Sequence, residues 1–78
     1  MITPAQLRGA RGILGWNQSR LASASGVALS TIKRMEASVG PIRGTAENVW
    51  KVQQALEEGG VVFIEVNGGG PGVRLRDR

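Results

Sequence analysis

Cysteine and histidine are both absent from this 78-residue chain. Without cysteine the chain can form neither a disulfide nor a thiolate metal site. Without histidine it lacks the side chain that proteins use most often for zinc binding and for acid–base catalysis near neutral pH. These absences weigh strongly against an enzyme, and we expect no catalytic residue, no metal and no cofactor.

Long apolar runs are also lacking. No stretch approaches the roughly 20 apolar residues that a membrane-spanning helix needs, and the first residues, MITPAQLRG, contain no signal-peptide hydrophobic region. We therefore expect a cytoplasmic protein without membrane contact. A chain of 78 residues predicts one small domain, whose stability is marginal unless something besides its own core contributes.

The stretch of residues 18 to 36, QSRLASASGVALSTIKRME, predicts two short helices joined by a tight turn. Gly26 can take the left-handed conformation that ends a helix without steric cost. Ala22 is small where a second helix must cross closely. Ile32 and Met35, three residues apart, place an apolar stripe on the second helix. This arrangement is a helix-turn-helix, and it leaves the opposite face of the second helix free to contact a partner.

That opposite face carries Leu29, Ser30, Lys33 and Arg34. These side chains suit a DNA major groove, where arginine can bind guanine with two hydrogen bonds, serine can meet any base, and an apolar side chain can pack on the thymine methyl group. The alternative is an ordinary solvated face. The spacing of small residue, glycine and aliphatic residues in the same stretch favours the DNA interpretation.

Positive charge accompanies the predicted helix-turn-helix. Residues 1 to 44 carry six basic side chains against one acid, whereas residues 45 to 58 carry one basic side chain against three acids. Such a distribution is typical of a surface that binds phosphates, although a nonspecific basic surface would look the same by charge alone. The basic residues of the first segment are Arg8, Arg11, Arg20, Lys33, Arg34 and Arg43, and its acid is Glu36.

Residues 3 to 58, roughly three quarters of the chain, resemble the helix-turn-helix family of the phage repressors. That family comprises the Cro and lambda-repressor-like proteins and many small bacterial regulators. The residues after 58 have no counterpart in its five-helix form. The residues that carry the resemblance are Trp16-Asn17-Gln18, Leu21-Ala22, Ser25-Gly26-Val27 and Ser30-Thr31-Ile32, followed by Arg34-Met35-Glu36.

The resemblance implies roles for residues that the spacing alone does not assign. It implies that Arg11 pairs with Glu36, at the end of the recognition helix; the alternative is two independent surface charges. It implies that Gln18 binds a backbone phosphate and braces the recognition helix. It also implies that the loop of residues 37 to 44 lies along the phosphate backbone, with Arg43 as its only charge.

The predicted DNA-contacting residues form three sets: those at base edges, those close to them, and those at phosphates. They are Leu29, Ser30 and Arg34 in the first set, Ala28 and Thr31 in the second, and Gln18, Lys33 and Arg43 in the third.

Capping residues set the other helix boundaries. Thr3 with Gln6 three residues later forms a capping-box pattern before helix 1, and Asn17 is the predicted N-cap of helix 2. Thr45 caps a last helix that runs to about Glu58. Two glycines in helix 1 weaken it by roughly 1 kcal/mol each relative to alanine. Close packing at position 9, or access of the DNA backbone at position 12, would account for them.

The last residues predict a β-hairpin. VVFIEV at 61 to 66 is a β-branched and aromatic run bounded by glycines, residues 67 to 72 form the turn, and residues 73 to 76 alternate apolar and basic. Both faces of the first strand are apolar because successive side chains point to opposite sides. Val61 and Phe63 share one face, and Val62, Ile64 and Val66 share the other.

We therefore predict an α+β protein, a single domain of residues 1 to 78. Its four-helix, lambda-repressor-like helix-turn-helix part occupies 3 to 58, and a C-terminal β-hairpin occupies 61 to 76. We expect it to bind double-stranded DNA sequence-specifically as a transcriptional regulator. The hairpin is expected to make it a homodimer, the free edge of the first strand pairing with a second chain.

Two other classes of function are consistent with the sequence. The chain could be an antitoxin that uses the same DNA-binding face for autoregulation and its hairpin to hold a protein toxin; a neighbouring toxin gene would discriminate this. It could instead be a protein-interaction module whose helix-turn-helix no longer binds DNA. Loss of the basic residues would support that alternative, but they are present.

Overall fold

The computed structural model describes residues 1–64 and 70–76. In these residues four α-helices precede one antiparallel pair of strands, which confirms the predicted α+β class. None of the described helices is long and apolar enough to cross a membrane. The elements are α1 (Pro4–Leu14), α2 (Gln18–Ser25), α3 (Leu29–Ala37), α4 (Ala46–Glu58), β1 (Val61–Ile64) and β2 (Gly72–Leu75).

The helices begin where their capping residues predict. The Thr3 hydroxyl accepts a hydrogen bond from the Gln6 backbone N–H at 3.1 Å, and the Gln6 side chain accepts one from the Thr3 N–H at 2.9 Å. Asn17 and Thr45 cap α2 and α4 in the same way, through backbone N–H groups three residues later. Gly26 closes α2 with φ of 73°, the left-handed conformation predicted for it.

One hydrophobic core joins the four helices to β1. The predicted inward residues of the helix-turn-helix all contribute to it, because the turn after α2 directs α3 back across α2 and α1. Trp16 packs half-buried against this core. The buried apolar side chains are Ile2, Leu7, Ala10, Leu21, Val27, Ile32, Met35, Val49, Val52, Ala55, Leu56 and Val61.

The hairpin is present where it is predicted, over the residues that the structure describes. β1 is described over Val61–Ile64, and β2 is Gly72–Leu75, one residue earlier than the expected 73 to 76. The predicted strand end at 65 and 66 and the first half of the predicted turn, residues 67–69, lie outside the described residues. Val61 pairs with Leu75 and Phe63 with Val73, and this face packs on α1 and α4. The opposite face of β1 turns outward.

Gln6 fastens the hairpin to α1 in addition to forming the capping box. Its side-chain amide donates to the Ile64 carbonyl at 3.1 Å and to the Gly72 carbonyl at 3.0 Å. The side chain is 6% exposed. Its amide hydrogens therefore connect one helix start to both strands, where an unsatisfied buried amide would be costly.

The two glycines of α1 have different explanations. A Cβ atom at Gly9 would lie 3.2 Å from Cγ2 of Val73, so the absence of a side chain allows β2 to approach α1 closely, as one of our two hypotheses proposed. A Cβ atom at Gly12 would meet nothing within 4 Å. Packing therefore does not explain Gly12.

We expect Gly59→Ala to destabilise the protein by about 1–3 kcal/mol. The backbone conformation at position 59 suits alanine, with φ of −73°. The added Cβ, however, would lie 2.8 Å from Cδ1 of Leu14 and 3.1 Å from the Trp16 ring. Thermal or urea unfolding measures the loss. Gly12→Ala is the matched control and should stabilise by about 0.5–1 kcal/mol, because it improves a helix in open space. Equal effects of the two substitutions would contradict this packing.

Candidate nucleic-acid interface

The exposed face of α3 is a continuous polar stripe. Ser30, Lys33, Arg34 and Ala37 are all exposed, and their spacing of three and four residues places them on one side of the helix. The opposite side is buried in the core through Ile32, Met35 and Glu36. The predicted division of α3 into a core face and a free face is confirmed.

The start of α3 is the only one of the four described helix starts without a side-chain cap. Ala28 occupies the N-cap position and makes no side-chain hydrogen bond. The N–H groups of Thr31 and Ile32 donate to the Ala28 carbonyl, at 3.0 and 3.1 Å. Those of Leu29 and Ser30 have no partner among residues 1–64 and 70–76. Uncapped amides and the positive end of the helix dipole favour an incoming anion or hydrogen-bond acceptor.

The remaining predicted contact residues lie beside this start. Ala28 is exposed, whereas Leu29 and Thr31 are half-buried. Each of these side chains therefore reaches the surface next to Ser30. The structure brings the predicted base-reading and neighbouring residues together on one exposed end and side of α3.

A buried carboxylate holds the other end of α3. Glu36 is 4% exposed, and its Oε1 accepts hydrogen bonds from Nη2 of Arg11 at 2.7 Å and from Nε2 of Gln18 at 3.2 Å. Its Oε2 accepts from Nε of Arg11. The same guanidinium donates to the Trp16 carbonyl at 2.9 Å. The Arg11–Glu36 pair implied by the resemblance is therefore present, and Gln18 braces α3 against the start of α2.

The pair also affects the protonation of its cationic member. The side-chain hydrogen bonds with Glu36 raise the pKa of Arg11 above its ordinary value, and burial opposes this only in part. A raised pKa means that the pairing with the Glu36 carboxylate stabilises the fold below the ordinary arginine pKa. This contribution is lost as the pH rises through the raised value.

Three contacts anchor the loop after α3. The Ser38 hydroxyl donates to the Met35 carbonyl at 2.9 Å, and Ile42 packs against the core. Gly44, with φ of 141°, lies against Met35 so closely that a Cβ there would be 2.9 Å from Cε. The anchored loop holds Arg43 beside Arg34, where both line one shallow concavity.

The six basic residues among residues 1 to 44 divide into two groups by their partners. Arg11 is paired, Arg8 donates to the Glu36 backbone carbonyl, and the Arg20 guanidinium lies 5.1 Å from the centroid of the Trp16 ring. The other three, Lys33, Arg34 and Arg43, are exposed and have no carboxylate partner within residues 1–64 and 70–76. The first group stabilises the fold, and the second is available to an external anion.

Sequence reasoning missed several residues of this surface. Ala37 belongs to the exposed stripe, and its position seven residues after Ser30 could have placed it there. Ser38 and Val39 line the concavity with the two arginines, and Val39 is 98% exposed. No periodicity signals a loop residue, so these two could not be found from the sequence.

Neither a protein-family model nor a curated protein matches this chain in sequence comparison. A function can therefore be inferred only from the residues and the geometry described above.

Proposed function

We propose that this protein is a DNA-binding transcriptional regulator of the phage-repressor-like helix-turn-helix class, acting in the cytoplasm as a homodimer rather than as an enzyme. Its recognition helix would be α3. The N-terminal residues of such a helix meet base edges in the major groove, and a second subunit reads a half-site about one helical turn away.

The observation that carries this proposal is the sorting of the cations. Half of the basic side chains in the first 44 residues have internal partners, and the other half point outward from α3 and the loop beside it. An ordinary solvated face gives no reason for the helix at its centre to lack a side-chain cap. Uncapped amides at the start of α3, next to exposed cations, match what a polyanion with hydrogen-bonding base edges offers.

The proposed roles of the side chains follow from their positions. Leu29 and Ser30 at the start of α3 would contact base edges, together with Arg34 one turn further on. Lys33 and Arg43 would bind phosphates. The Gln18 amide donates one N–H to Glu36, and its other N–H, unpartnered within the described residues, would bind a phosphate and transmit its position to α3.

We expect Arg34→Ala and Arg43→Ala to differ in kind. Loss of a base-reading arginine should cost about 1–3 kcal/mol on the preferred site and relax discrimination at one base pair. Loss of a phosphate contact should weaken binding to all sequences alike. Each variant is titrated with the duplex that the wild-type protein selects from random DNA, and with random duplex of the same length.

The two arginines line the same concavity, which makes each a matched control for the other. Equal losses on selected and random DNA for Arg34→Ala would remove Arg34 from the base-reading set. Arg34 would then join Arg43 at the phosphates, and the specificity would rest on the first turn of α3.

A second partner, a protein, is favoured by one further observation. Trp50 on α4 is 61% exposed, and it borders a groove between α2 and α4 whose other residues include Ala24, Gln54 and Glu58. Exposed tryptophan is enriched at protein interfaces. This surface is consistent with the antitoxin alternative, which a toxin gene next to the coding sequence would support.

A further inference from the structure

The backbone of the hairpin determines which of its groups are free to pair with another strand. The Arg76 N–H donates to the Gly60 carbonyl at 2.7 Å, so these two residues form a hydrogen-bonded pair. Such pairs alternate along an antiparallel ladder with pairs whose N–H and C=O groups point outward. In the observed register, the outward-pointing residues are Val61 and Phe63 on β1, and Val73 and Leu75 on β2.

The outer edge of β1 is closed where the strand begins. Val61 is 1% exposed, backbone included, because the strand enters the core directly after α4. A further strand cannot reach this residue without displacing the protein's own chain. The edge that we expected from the sequence to pair between chains is therefore accessible only at its far end, near Phe63.

The residues on the outer edge of β2 retain solvent exposure. Leu75 is 55% exposed, Pro71 just before the strand is exposed, and Val73 between them is half-buried. The N–H groups of Val73 and Leu75 have no partner among residues 1–64 and 70–76. The Leu75 carbonyl accepts a hydrogen bond from Nη1 of Arg74 at 3.1 Å. This edge thus offers two donors and one free strand carbonyl, at Val73.

We propose that β2 of a second copy of this chain pairs with this edge, antiparallel, with Val73 opposite Val73 of the second copy at the two-fold axis. The two Val73 residues then exchange two hydrogen bonds. Each Leu75 N–H donates to the Pro71 carbonyl of the other copy. Pro71 has no N–H to offer in return, and the Leu75 carbonyl needs none because Arg74 already occupies it.

The side chains of this register are also complementary to themselves. On the core-facing side, Leu75 lies opposite Pro71 of the second copy, so the exposed leucine is covered by an apolar ring. On the outer side, Arg74 lies opposite Gly72 of the second copy. The neighbouring register, shifted by two residues, would set Arg74 against Arg74, and like charges directly opposite each other destabilise a sheet.

The surface next to this edge contains exposed apolar residues beside polar ones. Pro71 borders a shallow groove with Pro4, Ala5 and Val39, the last 98% exposed. A second copy seated on β2 would cover part of this surface as well as the edge. The dimer itself does not depend on DNA binding; its use in reading two half-sites rests on the proposed function.

Because the chain contains no cysteine, single cysteines report the register directly. In the proposed pairing, positions 72 and 74 face each other as a pair without hydrogen bonds, with Cα atoms about 4.5 Å apart, a separation that a disulfide can span. We expect a mixture of Gly72→Cys and Arg74→Cys chains to form a mixed disulfide dimer on mild oxidation without DNA. Rapid crosslinking of Arg74→Cys alone would overturn this register in favour of the shifted one.

Two matched lysine substitutions distinguish the edges. Leu75→Lys on β2 should weaken dimerisation at least tenfold in sedimentation of the full chain, whereas Ile64→Lys, on the outer face of β1, should leave it within twofold. If Ile64→Lys weakened dimerisation more than Leu75→Lys, the interface would lie on β1. A wild-type chain that is monomeric at tens of micromolar yet binds duplex DNA would overturn the dimer and leave the proposed function standing. A chain that dimerises but binds no DNA would overturn the proposed function and leave the dimer standing.

Discussion

Arg11→Ala should destabilise the protein by about 3–5 kcal/mol, the largest loss that we expect from any single side-chain truncation outside the apolar core. The substitution removes two of the three hydrogen bonds to the carboxylate of Glu36. Glu36 is 4% exposed and cannot turn into solvent without moving α3. Its charge would keep only the Gln18 amide at 3.2 Å. Urea unfolding measured beside the wild type gives the difference.

Truncation of the other partner should cost less. Glu36→Ala leaves the Arg11 guanidinium, which is 21% exposed and retains the Trp16 carbonyl as a partner. Water can therefore solvate part of the orphaned charge. Arg11→Met combined with Glu36→Leu is the matched control, since replacing both members by apolar residues of similar volume is often close to neutral.

An asymmetry in the opposite direction, with Glu36→Ala the more costly, would show that Arg11 rather than Glu36 is the member held away from solvent. A double variant as unstable as Arg11→Ala would show that the ion pair itself is not the source of the loss. Either result would contradict the description of this pair as a buried carboxylate fastening α1 to the recognition helix.

The helical elements could be predicted because local chemistry determines them. Thr3, Asn17 and Thr45 each have a side-chain oxygen that suits an N-cap, and each caps the predicted helix. Gly26 adopts the left-handed conformation that the turn requires. Periodicity also separated the buried from the exposed face of α3, because one helix side must enter the core.

Long-range contacts could not be predicted in the same way. The capping box fully explained Gln6, so nothing signalled that its amide also holds both strands of the hairpin. In the sequence, nothing distinguishes Arg8 from the other cations, but in the fold it donates a hydrogen bond to the Glu36 backbone carbonyl. Such roles depend on which elements meet in space, and a single sequence contains no record of that.

The hairpin shows the same limit at the level of an edge. The alternation along β1 correctly grouped Val61 with Phe63 on one face, and this face packs on the helices. It could not show that the start of β1 would be buried, since that follows from the way α4 delivers Val61 into the core. Because Val61 is buried and Leu75 is exposed, the proposed dimer contact lies on β2 and not on β1.

The most direct test of the central proposal is the salt dependence of binding to duplex DNA. Lys33, Arg34 and Arg43 have no carboxylate partner within the described part of the chain. In a dimer they give about six phosphate neutralisations, with Arg34 counted among them because it is charged. Affinity should then fall about 10³-fold between 50 and 200 mM salt. The control is the variant with all three residues changed to glutamine, which should bind more weakly and with a flatter salt dependence.

The titration is carried out with the full-length chain on random and on selected duplex DNA at both salt concentrations. We expect binding in the low-salt buffer, a steep loss of affinity at high salt, and tighter binding to the selected duplex under both conditions. Absence of binding at low salt, or an affinity that barely changes with salt and is the same for the glutamine variant, would contradict the proposal that α3 and its neighbouring loop form a DNA-binding surface.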